Sequence, residues 1–139
     1  MSLEQPCSLA ENTLFQLAGI KLLVVDDNLD TRTLFAFVLE SYGAEVIAVT
    51  SAEEALASLR QTRPDLLISD INLTGEDGYS LIQKIRCLNS EQGGQIPAIA
   101  VTGLLSEPGF NPHSTKFQLH LTKPVDIDEL VRAAVALTR

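Results

Sequence analysis

Apolar residues along the chain follow two alternating patterns. Short apolar runs of strand length lie at 21–26, 44–49, 65–70, 97–102 and 118–122. Between them are stretches whose apolar residues recur every three to four positions, which is the spacing of one face of an α-helix. Most of the predicted strands are apolar on both faces. Such strands, alternating with helices, are typical of a parallel sheet covered on both sides.

The predicted helices have recognisable ends. The first stops at Gly43, because glycine commonly follows the last turn of a helix. Its predicted buried positions are Leu34, Phe37, Val38 and Tyr42. Ser51 and Glu54 form a capping box before the second helix, which runs to about residue 61. The third helix covers 79–88, and Asp126 caps a last helix that runs to about residue 137.

This order of elements predicts an α/β fold, a three-layer doubly wound sandwich of the flavodoxin-like type. Right-handed crossovers and short connections favour a five-stranded parallel sheet of order 2-1-3-4-5. The fourth helix, between the fourth and fifth strands, should be short or irregular, because the residues there do not fit a regular helix. They are Pro108, Gly109, Asn111 and Pro112. A tight loop is predicted at 75–78, and a flexible connector at 89–95.

The length of 139 residues suits one domain, and the dense pattern begins at Ile20. We therefore divide the chain into a leader or linker at 1–19, which could hold a short helix over 9–17, and a domain at 20–139. Ten Lys and Arg residues against eighteen Asp and Glu residues leave a net charge of −8. Such a charge disfavours direct binding to nucleic acid.

Two further features favour a cytoplasmic protein without membrane insertion. The apolar runs are far shorter than the roughly twenty residues that cross a bilayer. The first residues lack a basic region followed by an apolar one, which an export signal requires. Cys7 and Cys87 have neither metal-site nor redox spacing, and we interpret them as bystanders.

Polar residues stand at the carboxyl ends of the predicted strands, where open parallel sheets bind ligands. Asp26 and Asp27 end the first strand, and Asp70 ends the third. Thr102 ends the fourth strand, and Lys123 follows the fifth. Three carboxylates held together repel one another unless a cation shares their site, and Mg²⁺ suits a half-open carboxylate site. The same arrangement can stabilise a phosphoryl group, with Asp70 as the nucleophile that forms an acyl phosphate.

Four sequence segments carry a family resemblance. They are LVVDDN at 23–28, DINLTGEDGY at 70–79, AIAVTG at 98–103 and LTKPV at 121–125. In this order and spacing they resemble the receiver domains of two-component response regulators, over about residues 20–137. The stretch 117–125 is more similar to receivers attached to hybrid sensor histidine kinases than to receivers fused to DNA-binding domains.

The resemblance implies a role for each matching residue. Asp70 would be the phosphoacceptor. Asp26 and Asp27 would bind Mg²⁺ together with Asp70 and the backbone carbonyl of Asn72. Thr102 would be the switch hydroxyl that moves toward the phosphoryl group. Lys123 would form an ion pair with the phosphoryl group, and Gly103, which follows Thr102, would complete the phosphoryl-binding site.

The chain departs from the family pattern near the site. Gly103 stands where Ala or Ser is more frequent, and it leaves room for water beside an acyl phosphate. His120 stands where the family commonly has Tyr or Phe as a second switch element, and an imidazole could add a pH dependence. The usual output surface is therefore in doubt, and dimerisation through it is not assumed.

The loop after Asp70 departs as well. Leu73 and Thr74 replace the usual Met-Pro, and Glu76 replaces a commonly apolar residue. Leu73 keeps an apolar plug, whereas loss of the proline should loosen the loop slightly.

Each of these residues also has an ordinary structural interpretation. Aspartate at a strand end often caps a helix or turn. A lysine is commonly solvated, Asn72 could be a turn residue, and Thr102 could simply end a strand. The combination of all five side chains on one edge favours the phosphoryl site over these separate explanations.

The preferred hypothesis is a signalling switch. A histidine kinase or phosphotransfer protein would phosphorylate Asp70, and the changed conformation would act on a downstream protein or on neighbouring domains of a longer chain. Because this chemistry modifies the chain itself, we do not expect an enzyme.

Two alternatives belong to other classes. A pseudo-receiver would bind proteins without being phosphorylated. A phosphohydrolase of the haloacid-dehalogenase type would need a second aspartate two residues after a first-strand nucleophile, where Asn28 stands instead. The chain contains neither a P-loop motif nor a G-x-G-x-x-G motif, which disfavours nucleotide enzymes.

Overall fold

The computed structural model describes residues 16–73, 77–103 and 116–138. The strands within these residues are β1 (Lys21–Val25), β2 (Glu45–Val49), β3 (Leu66–Asp70), β4 (Ala98–Thr102) and β5 (Leu119–Thr122). The α-helices within them are α1 (Leu29–Ser41), α2 (Ala52–Thr62), α3 (Gly78–Arg86) and α4 (Ile127–Thr138).

The five strands form one parallel sheet of order β2-β1-β3-β4-β5, which confirms the predicted fold and strand order. The three central strands β1, β3 and β4 are almost entirely buried, whereas the edge strands β2 and β5 are partly exposed. Central parallel strands need apolar side chains on both faces, and their sequences supply them.

Alternate residues of the strands pack into two separate cores. Leu23 and Val25 of β1 contribute to the core under α2 and α3. Leu22 and Val24 contribute to the core under α1 and α4. Successive side chains of a strand point to opposite faces of the sheet. The helices therefore cover both faces, and the protein has three layers.

Short polar side chains begin the helices that border the carboxyl edge of the sheet. The Asn28 side chain accepts a bond from the Thr31 amide at 2.9 Å and caps α1. Asp126 accepts from the Asp128 amide at 2.9 Å, as predicted for the last helix. These caps satisfy amide groups that have no partner within the helix.

The capping box before α2 forms only in part. Ser51 Oγ accepts a bond from the Glu54 amide at 3.2 Å, as predicted. The Glu54 carboxylate instead accepts from the amide of Thr50, one residue before the cap, at 3.1 Å.

The predicted buried face of α1 is wrong at two positions. Leu34 is 48% exposed and Phe37 is 72% exposed, whereas Phe35 and Leu39 are buried. Val38 and Tyr42 pack against the core, as predicted. Apolar residues occur on several sides of this helix, so their spacing alone does not decide which side meets the sheet.

The connector at 89–95 is more ordered than predicted. It contains a 3₁₀ turn (Ser90–Gln92) held by a capping box between Asn89 and Gln92. Gly94 is buried in this turn, and its amide donates to the Asn89 carbonyl at 3.0 Å. The segment is therefore a built connection between α3 and β4.

Some predictions concern residues outside the described ranges. The short or irregular fourth helix falls on 104–115, the loop departures Thr74 and Glu76 fall on 74–76, and most of the helix at 9–17 precedes residue 16. Leu17, which the sequence places in the leader, is buried in the core, and its amide donates to the Tyr42 carbonyl at 2.9 Å. Among the described helices, none has both the length and the apolar character required of a bilayer-crossing segment.

Candidate functional site

The carboxyl edge of the sheet brings the three predicted carboxylates together. Asp26 and Asp27 follow β1, and Asp70 is the last residue of its neighbour β3. One carboxylate oxygen from each residue lies within 4.8 Å of the others. Asp26 and Asp70 are buried, whereas Asp27 is exposed. We call this cluster, which is largely buried and reaches solvent at Asp27, the acidic pocket.

Asp70 lies at the centre of this edge and is only 4% exposed. Its Oδ1 accepts a bond from the amide of Asn72 at 3.1 Å. Its Oδ2 lies 3.2 Å from Nζ of Lys123, whose side chain is partly exposed. One oxygen of the carboxylate thus faces a backbone donor, and the other faces the ammonium group of a partly exposed lysine.

A glycine lets α3 approach the backbone of Asp70. The Gly78 amide donates to the Ile71 carbonyl at 2.8 Å. A Cβ at Gly78 would lie 2.7 Å from the Asp70 carbonyl oxygen and 3.0 Å from the Ile71 Cα. Any larger residue would push the helix away from the strand end that carries Asp70. Leu73 is buried in the core on the same side, as the predicted apolar plug requires.

Asp26 is the most buried carboxylate of the cluster, at 1% exposure. Its Oδ1 accepts from the Asn28 amide at 2.8 Å. Burial raises the pKa of the Asp26 carboxyl, and the charges of Asp70 and Asp27 raise it further. The Asn28 amide and Lys123 lower the pKa in part but do not cancel this effect. The ionised form of Asp26 is therefore destabilised by its surroundings.

The donor set fits a hard divalent cation. Among the described residues, the buried Oδ2 of Asp26 has no hydrogen-bond partner. A buried acceptor without a partner is destabilising, and a cation can serve as the missing partner. Carboxylate oxygens are ligands that Mg²⁺ favours, and the exposed Asp27 leaves access for the water molecules that Mg²⁺ usually keeps.

Thr102 and Gly103 lie beside this pocket at the end of β4. Thr102 is fully buried, and its carbonyl accepts a bond from the amide of Lys123 at 2.9 Å. Gly103 is exposed, and a Cβ at this position would meet no atom within 4 Å. The room for water that the sequence predicts beside an acyl phosphate stays a prediction.

His120 lies on β5, further from the site. Its ring is half-buried and packs edge to face against Phe117, with the ring centroids 5.9 Å apart. Phe117 makes a similar contact with Tyr79 of α3, at 6.2 Å. Burial lowers the pKa of the His120 imidazole.

Replacing His120 with phenylalanine should remove part of the pH dependence of stability. Because the pKa of His120 is lowered in the folded state, the unfolded chain binds the proton more readily as the pH falls below about 6.5. The wild-type protein should therefore lose stability there, by less than about 1 kcal/mol because solvent still reaches the ring. Urea denaturation of the wild-type protein and of His120→Phe between about pH 5 and pH 7.5 measures this loss. An unchanged pH profile in His120→Phe would contradict the assignment.

Sequence reasoning missed two residues near the acidic pocket. Asn28 caps α1 and also donates its amide to Asp26. Arg32 of α1 donates from Nη1 to the backbone carbonyl of Asp26 at 2.9 Å. The sequence does show Arg32 one turn into the helix that follows Asp26 and Asp27. Its contact with a backbone carbonyl, however, cannot be predicted from residue spacing.

A family model agrees with this geometry. The response regulator receiver domain model matches residues 22–135. The chain belongs to this family. Receiver domains with this fold are components of two-component signalling, so the predicted family and system are confirmed.

Individual relatives include both short and long proteins. The chain is 43% identical to the uncharacterized 14.6 kDa protein in the sodA1 3′ region of Leptolyngbya boryana, over 84% of this chain and 88% of the relative. It is 33% identical to hybrid signal transduction histidine kinase D of Dictyostelium discoideum, over 87% of this chain and only 8% of that protein. The second match therefore concerns one segment of a much longer protein.

One solved structure is informative about the pocket. It is the receiver domain of a sensor histidine kinase from Pseudomonas aeruginosa, with a magnesium ion coordinated in its active-site cleft. This receiver is 31% identical to the chain and superposes with a TM-score of 0.77, covering 87% of this chain and 98% of the other.

Proposed function

We propose that residues 20–139 form a phosphoacceptor receiver domain and that residues 1–19 are a leader or linker. In this proposal Asp70 accepts a phosphoryl group from a histidine kinase or phosphotransfer protein, with Mg²⁺ bound, and the domain then changes conformation. The observation that carries the proposal is the placement of Asp70, which is buried 3.2 Å from Lys123 and beside two further carboxylates.

The pocket residues would hold and orient the reacting groups. Asp26, Asp27 and Asp70, with the backbone carbonyl of Asn72, would hold the cation. Mg²⁺, when bound, supplies positive charge beside the carboxylates and the phosphoryl oxygens. Lys123 supplies a second positive charge at the pocket mouth, and the burial of Asp70 limits the access of water. Positioning and charge compensation of this kind are the main requirements of phosphoryl transfer.

The transfer involves one bond formed and one bond broken, with no further reactant. A carboxylate oxygen of Asp70 attacks the phosphorus, and the bond from phosphorus to the donor's histidine nitrogen breaks. The electron pair of that bond stays on the donor's imidazole, which leaves as the neutral ring when its other nitrogen carries a proton. The product on this chain is an acyl phosphate. Because the chain itself is modified, we do not assign an enzymatic activity.

The new charge would act through the neighbouring strand ends. Thr102 is buried one residue beyond Val101, the partner of Asp70 in the sheet register. Its hydroxyl and the ammonium of Lys123 would respond to the phosphoryl group. The backbone bond between Lys123 and Thr102 would transmit a shift of one to the other. His120, which lies on β5 three residues before Lys123, is a candidate second switch. The output is a downstream protein or a neighbouring domain of a longer chain.

A single mass measurement tests the proposal. The protein is incubated with Mg²⁺ and acetyl phosphate, and its intact mass is followed. We expect one phosphoryl adduct that alkali removes, as it does an acyl phosphate, and no adduct on Asp70→Asn. Asp65→Asn is the matched control, because Asp65 directly precedes the same strand, at the end away from Asp70, and its carboxylate accepts from the Lys21 amide. This control should keep the adduct.

Three other results would contradict the proposal. No adduct on the folded wild-type protein would favour a pseudo-receiver that only binds proteins. Steady release of phosphate from monoesters, with no lasting adduct, would favour a phosphohydrolase. An adduct that persists in Asp70→Asn would place the modification on another residue.

A further inference from the structure

Arg32 contacts the backbone of the acidic cluster. It lies one turn into α1, half-buried, and its Nη1 donates to the backbone carbonyl of Asp26 at 2.9 Å. The Asp26 amide donates to the Val49 carbonyl at 3.1 Å, and its Oδ1 accepts from the Asn28 amide at 2.8 Å. The Asp26 amide is thus bonded to β2, and the Asp26 carbonyl is bonded to Arg32.

Glu54 lies close enough to Arg32 for their charges to interact. The Glu54 carboxylate accepts from the Thr50 amide at 3.1 Å and from the hydroxyls of Thr50 and Ser51. These bonds lower the pKa of Glu54, and the charge of Arg32 contributes to this lowering. Glu54 is thus ionised and fixed at the start of α2. The charge of Glu54 attracts Arg32 weakly, in addition to the hydrogen bond by which Arg32 holds the Asp26 carbonyl.

The carbonyl that Arg32 holds belongs to the peptide that joins Asp26 to Asp27. A peptide unit is planar, so fixing the orientation of its carbonyl also fixes the direction in which the next Cα and its side chain leave. Asp27 is exposed and has less packing than Asp26 to restrain it. Its direction therefore depends on the orientation of this peptide.

We infer that Arg32 is a positioning residue of the acidic site, which holds the peptide between Asp26 and Asp27 so that both carboxylates face Asp70. This inference rests on the proposed function, because it concerns the same cation site. Arg32 touches neither the phosphoryl group nor the cation in this assignment. It acts through the aspartates that it orients.

The charge of Arg32 alone would have the opposite effect. A cation beside a Mg²⁺ site repels the metal, so removing it should strengthen Mg²⁺ binding if charge were its main contribution. Positioning predicts that removing it weakens binding, because the carboxylates are no longer held in place. The direction of the change in affinity thus distinguishes the two explanations.

The experiment is a calorimetric titration of the full chain with Mg²⁺. Arg32→Gln should bind Mg²⁺ about tenfold more weakly than the wild-type protein, which is the size of effect seen for residues that orient metal ligands. Arg32→Lys keeps the charge and one donor, and it should lose about threefold and so recover part of the affinity. Arg60→Gln removes an exposed arginine of α2 and should change the affinity by less than about twofold.

Phosphorylation by acetyl phosphate gives a second readout. In Arg32→Gln the Mg²⁺ concentration for half-maximal rate should rise about tenfold, in line with the affinity, while the rate at saturating Mg²⁺ stays within about threefold. A general loss of folding would lower both the Mg²⁺ affinity and the rate at saturating Mg²⁺. Far-ultraviolet circular dichroism identifies such a loss. If Arg32→Gln does not fold, the result for Arg32→Lys decides, because that variant has an unchanged net charge.

Equal or tighter Mg²⁺ binding by folded Arg32→Gln would overturn the inference, and so would wild-type affinity in both Arg32 variants. A wild-type protein that binds no Mg²⁺ and forms no adduct would overturn the proposed function instead. The two failures are therefore separate results.

Discussion

Replacing Gly94 with alanine is expected to destabilise the protein by at least about 3 kcal/mol, or to prevent folding. An alanine Cβ at this position would lie 1.9 Å from the Leu88 carbonyl oxygen and 2.7 Å from the Leu88 carbonyl carbon. Both are backbone atoms, so no side-chain rotation relieves the clash. The turn is also held by Arg86, whose Nη1 donates to the carbonyls of Gly94 at 3.0 Å and Ile96 at 2.7 Å.

Gly103→Ala is the matched control for this substitution. It adds the same methyl group at an exposed glycine, where a Cβ would meet no atom within 4 Å. Its free energy of unfolding should stay within about 0.5 kcal/mol of the wild-type value. Urea denaturation followed by circular dichroism compares the three proteins. A Gly94→Ala protein as stable as the control would mean that the turn at 89–95 differs from the one described.

The architecture could be predicted because its strongest signals are local. The apolar runs that became β1, β3 and β4 are those that are buried on both faces, and handedness rules leave few strand orders for them. Details that depend on tertiary contacts could not be predicted. The sequence predicts a flexible connector around Gly94, because two successive glycines do not reveal the close approach of Gly94 to Leu88. The exposure of Phe37 was missed because the sheet, not the helix, decides which side of α1 is covered.

The site could be predicted in composition but not in detail. The rule that parallel sheets bind ligands at their carboxyl edge is enough to bring Asp26, Asp27 and Asp70 together, with Lys123 beside them. The rule does not show which carboxylate is most buried. It also cannot place Arg32, since a side chain that binds a backbone carbonyl six residues earlier leaves no sequence motif.

Replacing Asp26 with asparagine is expected to stabilise the protein in Mg²⁺-free buffer at pH 7. The pKa of Asp26 is raised in the folded state by burial and by the neighbouring carboxylates. Between the unfolded and folded pKa values the folded state binds more protons, so wild-type stability falls as the pH rises through this window. Asparagine cannot ionise, and its side-chain oxygen can still accept the bond from the Asn28 amide. The expected gain is on the order of 1–2 kcal/mol.

Thermal unfolding in a chelating buffer measures this gain, which should appear as a rise in Tm of roughly 3 to 8 °C. Asp128→Asn makes the same chemical change at an exposed residue of α4 and should leave stability within about 0.5 kcal/mol. A lower Tm for Asp26→Asn than for the wild-type protein would show that the ionised carboxylate is favourable in the folded state. That result would contradict the direction of the pKa shift.

Adding Mg²⁺ should reverse the order of the two proteins. A ligand that binds only the folded state stabilises it by about 2.7 kcal/mol when its concentration is about 100 times the dissociation constant. The wild-type protein should gain this amount, whereas Asp26→Asn loses a negatively charged ligand and should gain much less. The clustered carboxylates would then destabilise the folded chain in the absence of Mg²⁺, and bound Mg²⁺ would offset this effect. Equal gains for both proteins would show that Mg²⁺ does not bind through Asp26. No gain for either protein would contradict a Mg²⁺ site at the three carboxylates.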